Sequence, residues 1–147
     1  MRRKPALTAA DRVFDRPRRA FTVEEANRAL VLVRRIVQDV VRVYAELMDL
    51  RARREELAST AGAGDQLERM RAAIDVRIDH VNRLQDELTE IGCAPKDFET
   101  GLVDFPAVHD GRAVMLCWRL GEECVTHWHE VDAGFSGRRP IEPGFGA

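Results

Sequence analysis

The sequence predicts a mainly helical α+β fold: a long antiparallel helical hairpin with a small C-terminal antiparallel β meander docked on it. Two observations carry this. Apolar residues at alternating three–four spacing fill two stretches, separated only by a Gly-rich turn at 59–64. Beyond Pro95 the pattern shifts to short strand-like runs punctuated by turn signals.

The first helix is announced by Phe21-Thr22-Val23-Glu24-Glu25. Thr22 can cap the free N–H groups while Glu25 reaches back, completing a capping box. No Pro or Gly follows until Gly62, within the turn Ser59-Thr60-Ala61-Gly62-Ala63-Gly64. Asp65 with Glu68 is expected to form a second capping box, and Gly92 with Pro95 closes the second helix. Folding the chain at Gly62 pairs positions that sum to 124: Leu57 with Leu67, Leu50 with Ile74, Val43 with Val81, Val40 with Leu84, Ile36 with Leu88 and Val33 with Ile91. Arg54 and Arg77 interrupt this seam, and long snorkelling stems account for both. A second stripe on the first helix, Leu30, Val37, Val41, Tyr44 and Met48, faces away from the seam. Either the C-terminal module or a second copy of the chain must cover it.

Three strand-like runs follow: Leu102–Val108, Ala113–Arg119 and Cys124–Val131. Asp110-Gly111 signals a tight hairpin that pairs Val103 with Trp118, Phe105 with Leu116 and Ala107 with Val114 on one apolar face. Three strands do not stand alone in water, so that face is expected to dock on the helices. The chain thus divides into a flexible basic arm (1–20), the hairpin (21–92) and a β-rich module with an irregular tail (93–147).

Net charge is −2, with 33% charged residues. Residues 1–20 carry seven Arg/Lys against two Asp, so the basic excess lies in the arm. Contact with nucleic acid is expected from that arm or not at all. The arginines near the hairpin tip (Arg51, Arg53, Arg54) are balanced by neighbouring acids. No apolar run is long enough to span a membrane, and the basic N-terminus lacks the apolar stretch of a signal peptide. Cys93, Cys117 and Cys124 show no C-x-x-C spacing, which reads as a reduced cytoplasmic protein.

The chemistry concentrates on the opposite face of the meander. The Asp110-Gly111 pivot sets Asp104 opposite Cys117. With a three-residue turn before the third strand, His127 lies beside Cys117 and His129 one step along. With a two-residue turn, both histidines flip to the apolar face. Cysteine beside histidine suits an activated thiolate, and Cys, His and Asp are ligand types that zinc accepts. His129 and Glu130 point to opposite faces of a regular strand, so both ligate only if the chain bulges. The bland alternative is a small buried Cys117 with hydrogen-bonded histidines. Trp118 and Trp128 are expected in the core. Arg138 and Arg139 offer either an anion site or a salt bridge to a local acid such as Asp104 or Glu130.

Several strings are familiar together: Phe21-Thr22-Val23-Glu24-Glu25-Ala26-Asn27, Gly101-Leu102-Val103-Asp104-Phe105-Pro106, Leu116-Cys117-Trp118, Gly121-Glu122, Trp128-His129-Glu130 and Gly134-Phe135-Ser136-Gly137-Arg138. In this order they resemble the bacterial family known as domain of unknown function 2203, over roughly residues 21–141. The resemblance implies a fold and a bacterial cytoplasmic setting, with no activity attached. It marks Asp104, Cys117, Trp118, Glu122, Trp128, His129, Glu130 and Arg138 as the candidate ligand or functional cluster. No complete catalytic constellation is visible, and no catalytic residue is assigned. The expectation is a cytoplasmic protein-interaction or assembly module, partnered by itself as a homodimer or by another protein. The alternative is a ligand- or metal-binding module, with zinc held by His129, Cys117, Asp104 and His127.

Overall fold

The computed structural model describes residues 19–146. The expected behaviour of the basic arm 1–20 therefore falls outside the described residues, except at Arg19 and Ala20. The first helix, α1 (Val23–Ala58), starts at the capping box: Glu25 N–H donates to Thr22 Oγ1 at 3.1 Å and Thr22 N–H donates to Glu25 Oε1 at 3.2 Å. The second, α2 (Gly64–Ile91), ends at Gly92 in the left-handed region, whose N–H donates to Leu88 O. The second expected capping box does not form. The helix begins at Gly64, so Ala63 occupies the N-cap without a side-chain bond and Asp65 falls inside the first turn. There its charge still opposes the positive end of the helix dipole.

The two helices pack on each other as an antiparallel pair. Val33, Ile36, Val40 and Val43 are buried from one side and Ile74, Val81, Leu84 and Leu88 from the other. Arg77 Nε donates to Glu46 Oε2 at 3.0 Å across the pair. Those positions sum to 123, one away from the register read from the sequence.

A five-strand antiparallel meander follows in the order β1-β2-β3-β4-β5: β1 (Ala94–Asp97), β2 (Leu102–His109), β3 (Arg112–Arg119), β4 (His127–Glu130) and β5 (Arg139–Pro140). The three-strand expectation is thus extended at both edges. Pro95 is accommodated because β1 is an edge strand. Pro106 sits within β2 because its carbonyl points to the side where β1 has ended, accepting from Phe21 N–H at 2.7 Å, so no ladder donor is missed. The hairpin register is the expected one, with Val103 opposite Trp118, Phe105 opposite Leu116 and Ala107 opposite Val114. Asp110 and Gly111 both have positive φ, at 51° and 72°, as a two-residue turn of type I′ requires.

The third expected strand, β4, is shorter than the run Cys124–Val131. Val125 N–H donates to Asn27 Oδ1 at 2.7 Å and Glu123 O accepts from Arg34 at 2.7 Å, so helix side chains take the bonds a ladder would use. The apolar face of the sheet (Val103, Phe105, Ala107, Val114, Leu116, Trp118, Trp128) shares one core with Leu30, Val33 and Val37 of α1. The second stripe is therefore covered from within. Leu30 and Val37 are buried, Val41 packs against the core, and Tyr44 meets Phe98 with ring centroids 5.8 Å apart. Those four positions need no second chain; the fifth, Met48, is half-buried.

Candidate functional site

Facing pairs and the two-residue period of a strand set Asp104, Met115, Cys117, His127 and His129 on the sheet face turned away from the core. The third-strand register is the one that aligns Cys117 with His127. The histidines therefore stay on this face and off the apolar one. The side chains are nevertheless buried: Asp104 and His129 are 2% exposed and Cys117 is sealed completely.

At the centre is an ion pair. His129 Nε2 donates to both Asp104 oxygens, at 3.1 and 3.0 Å, while Nδ1 donates to the Glu130 carbonyl at 2.6 Å. With acceptors on both nitrogens the ring is held as imidazolium. The Asp104 carboxylate, together with Cys117, pushes its pKa up to about 10 against the opposing effect of burial. The ligating atoms of Asp104, Cys117 and His129 lie within 4.8 Å of one another, one from each of three adjacent strands. Among the described residues, these are the three whose donors gather closely enough to hold one metal ion.

A second layer of charge flanks this trio. Arg138 forks onto Glu122, with NH2 to Oε1 at 2.9 Å and NH1 to Oε2 at 3.1 Å, and also donates to Cys117 O at 3.2 Å. Glu122 Oε1 accepts from Arg119 N–H, and its carbonyl accepts from Trp118 Nε1. Burial alone would raise the Glu122 carboxyl, but Arg138 and the Arg119 amide outweigh it and hold the group below its ordinary value. Arg138 Nε is buried without a hydrogen-bond partner.

The expected partners of the arginines are revised here. Arg138 pairs with Glu122, because Asp104 is already taken by His129 and Glu130 by Arg112. Arg139 lies over the Trp128 ring, 5.0 Å from its centroid. His127 faces Cys117 along the ladder, but its Nδ1 meets Thr126 Oγ1 at 2.9 Å and it stands outside the close trio. Glu130 contributes its carbonyl, not its carboxylate. Trp118 and Trp128 are in the core as expected.

Both ring nitrogens of His129 are committed to oxygen, so neither accepts the thiol proton, and Cys117 meets no solvent. A group that the sequence reading missed lies near the C-terminal end. His109 stacks on Phe145 with centroids 4.4 Å apart, and Trp128 packs on both. Together with Arg139 and Glu142 they line a cavity of about 400 Å³. The tail has no periodicity, so nothing in it signalled that Phe145 returns to the sheet.

Fold and site define a helical hairpin that carries a five-strand meander, with a sealed Asp–His–Cys cluster on the sheet's far face. The chain belongs to the family described as "Uncharacterized conserved protein (DUF2203)", whose model matches residues 19–141. No curated protein and no solved structure matches it.

Proposed function

We propose that this chain is an interaction module that assembles with a second copy of itself through the distal arm of its helical hairpin. One observation carries the reading: the seam of that arm is only partly covered. Beyond Leu47 in α1 and before Ile74 in α2 no helical residue is buried. At about 1.5 Å per residue, helical stretches of roughly 16 Å extend past the buried layers. The seam positions there, Leu50, Leu57, Leu67 and Met70, remain partly exposed. Each leaves roughly 0.5 kcal/mol of burial unrealised.

A groove of about 630 Å³ runs along one side of this arm, lined by Leu50, Leu57, Met70 and Ala73 together with Arg53, Glu56 and Arg69. The lining carries both signs of charge. A copy related by a two-fold axis can set Arg against Glu on both sides at once. That self-complementarity favours a second identical chain over a strongly charged partner such as nucleic acid, and it leads to a four-helix arrangement at the tip. A cytoplasmic setting fits the three free cysteines. No helix among the described residues is long and apolar enough to cross a membrane.

Sedimentation equilibrium of the full chain at micromolar concentration tests the proposal. The expected mass is twice 16.7 kDa, falling to one copy in Met70→Glu with helical circular dichroism unchanged. A native chain that stays monomeric refutes it. So does a dimer indifferent to both Leu57→Glu and Met70→Glu.

A further inference from the structure

We propose that Asp104, Cys117 and His129 bind one divalent transition-metal ion, zinc by their donor chemistry, as a structural staple across β2, β3 and β4. This inference is independent of the assembly reading. It rests on four features of the cluster. The donors are carboxylate oxygen, thiol sulfur and imidazole nitrogen, a mixed set that borderline-soft zinc accepts and calcium or magnesium does not. Their atoms already lie within 4.8 Å of one another. Tetrahedral angles with ligand bonds of about 2.0–2.3 Å need donor separations of roughly 3.3–3.8 Å, so small rotamer adjustments suffice, and a water fills the fourth position.

The orientation of His129 is the third feature. Its Nδ1–H is anchored on the Glu130 carbonyl, which aims Nε2 at the other donors. Zinc-binding histidines are held in this way, with the distal nitrogen fixed by a backbone carbonyl. The fourth is burial. Both members of the His129–Asp104 pair keep only 3% of their side-chain surface exposed. Two ions are costly to desolvate so completely, and direct coordination compensates more fully than a single ion pair. A divalent ion also carries the charge of the two protons that it displaces, from the imidazolium and the thiol, so the cluster keeps its net charge. Arg138 is already neutralised by Glu122 and does not oppose the ion.

The position dictates the role. The trio is sealed, and none of the three cavities at the arm tip, the His109–Phe145 cluster and the start of α1 is lined by it. No substrate reaches such an ion. What it does is tie the four-residue β4 to its neighbours, where the following chain offers only the two-residue β5 as a ladder partner.

The test uses full-length protein prepared without a metal-affinity tag, dialysed against zinc and then against metal-free buffer, with elemental analysis. About one equivalent of zinc is expected to remain. Cobalt substitution is expected to produce the near-ultraviolet thiolate-to-metal charge-transfer band. Cys117→Ser, nearly isosteric, should abolish that band and weaken zinc binding by more than about 100-fold in chelator competition, more than losing a residue that only orients a ligand usually costs. Cys124→Ser should leave both readouts intact. Should His129→Gln fail to fold, Cys117→Ser still decides. Retention of less than a tenth of an equivalent overturns the proposal, as does stoichiometric zinc that Cys117→Ser leaves untouched.

Discussion

Gly101 is where the docking of the sheet on the hairpin meets its closest steric test. It has φ +78°, and a Cβ built there would lie 2.8 Å from Val37 Cγ1, 2.8 Å from Leu120 Cβ and 3.2 Å from Val41 Cγ2. Gly101→Ala therefore meets two costs. The left-handed backbone disfavours any L side chain by about 1–2 kcal/mol. Overpacking against a buried valine adds about 1–3 kcal/mol. Gly111 separates the two. Its φ is nearly the same, +72°, and a methyl added there would meet nothing within 4 Å. Gly111→Ala should show the backbone cost alone. The unfolded-state effect of adding a methyl is common to both substitutions, so their difference isolates the contact with α1. With a urea slope of about 2 kcal/mol/M, Gly101→Ala should unfold at a midpoint roughly 0.5–1.5 M below Gly111→Ala. In a Val37→Ala background the gap should narrow, because the clashing methyl is gone. Equal midpoints for the two glycine variants would refute the placement of the β2 entry turn on Val37 and Val41. A gap unchanged by Val37→Ala would assign the clash to Leu120 instead.

Two further outcomes follow from individual side chains. Burial pushes the Cys93 thiol up to about 12 and Cys117 is sealed, whereas Cys124 is exposed. Native protein should then be alkylated at one site, Cys124, with the others reacting only after unfolding; peptide mass spectrometry showing early modification of Cys93 would contradict the packing of Gly92 and Cys93 at the end of α2. The Glu122 carboxyl is held below its ordinary 4.5 in the folded chain, so its contribution is present above that value and is lost as pH falls through the folded pKa. Glu122→Gln should lower the urea midpoint at neutral pH and flatten its decline in acid, and a mutant curve parallel to the native one throughout would exclude the Glu122–Arg138 pair as a source of stability.

The hairpin is legible because its information is local and repeated. Each seam residue restates the period, and Thr22 and Glu25 mark the start with two bonds that the structure makes. The same local logic fails at Asp65. An N-cap depends on where the turn releases the chain, and tucking Ala63 inward starts the helix one residue before Asp65. The β2–β3 register follows from Asp110-Gly111 because a two-residue turn leaves no freedom. The β3–β4 connection has that freedom, and its register depends on Asn27 and Arg34, which lie on α1 and carry no sign of their distant partners. For the site, the residue types and the facing of Asp104 with Cys117 were readable, while the face taken by His127 and His129 waited on the β3–β4 register. The pairing of Arg138 with Glu122 was not, because it closes through the 3₁₀ turn Phe135–Gly137, which brings the chain back over β3.

The meander order of the sheet bears on how the chain acquires its structure in time. Each strand pairs with its sequence neighbour, and the two helices are joined by a short turn, so both halves are built from contacts that close small loops. Two of the bonds uniting them span 89 and 98 residues. Local contacts form quickly, while distant ones wait on the entropy of closing long segments. During synthesis the hairpin emerges from the ribosome ahead of the strands that shield Leu30 and Val37. The interval before docking is thus when this chain is most exposed to aggregation or to capture by a chaperone.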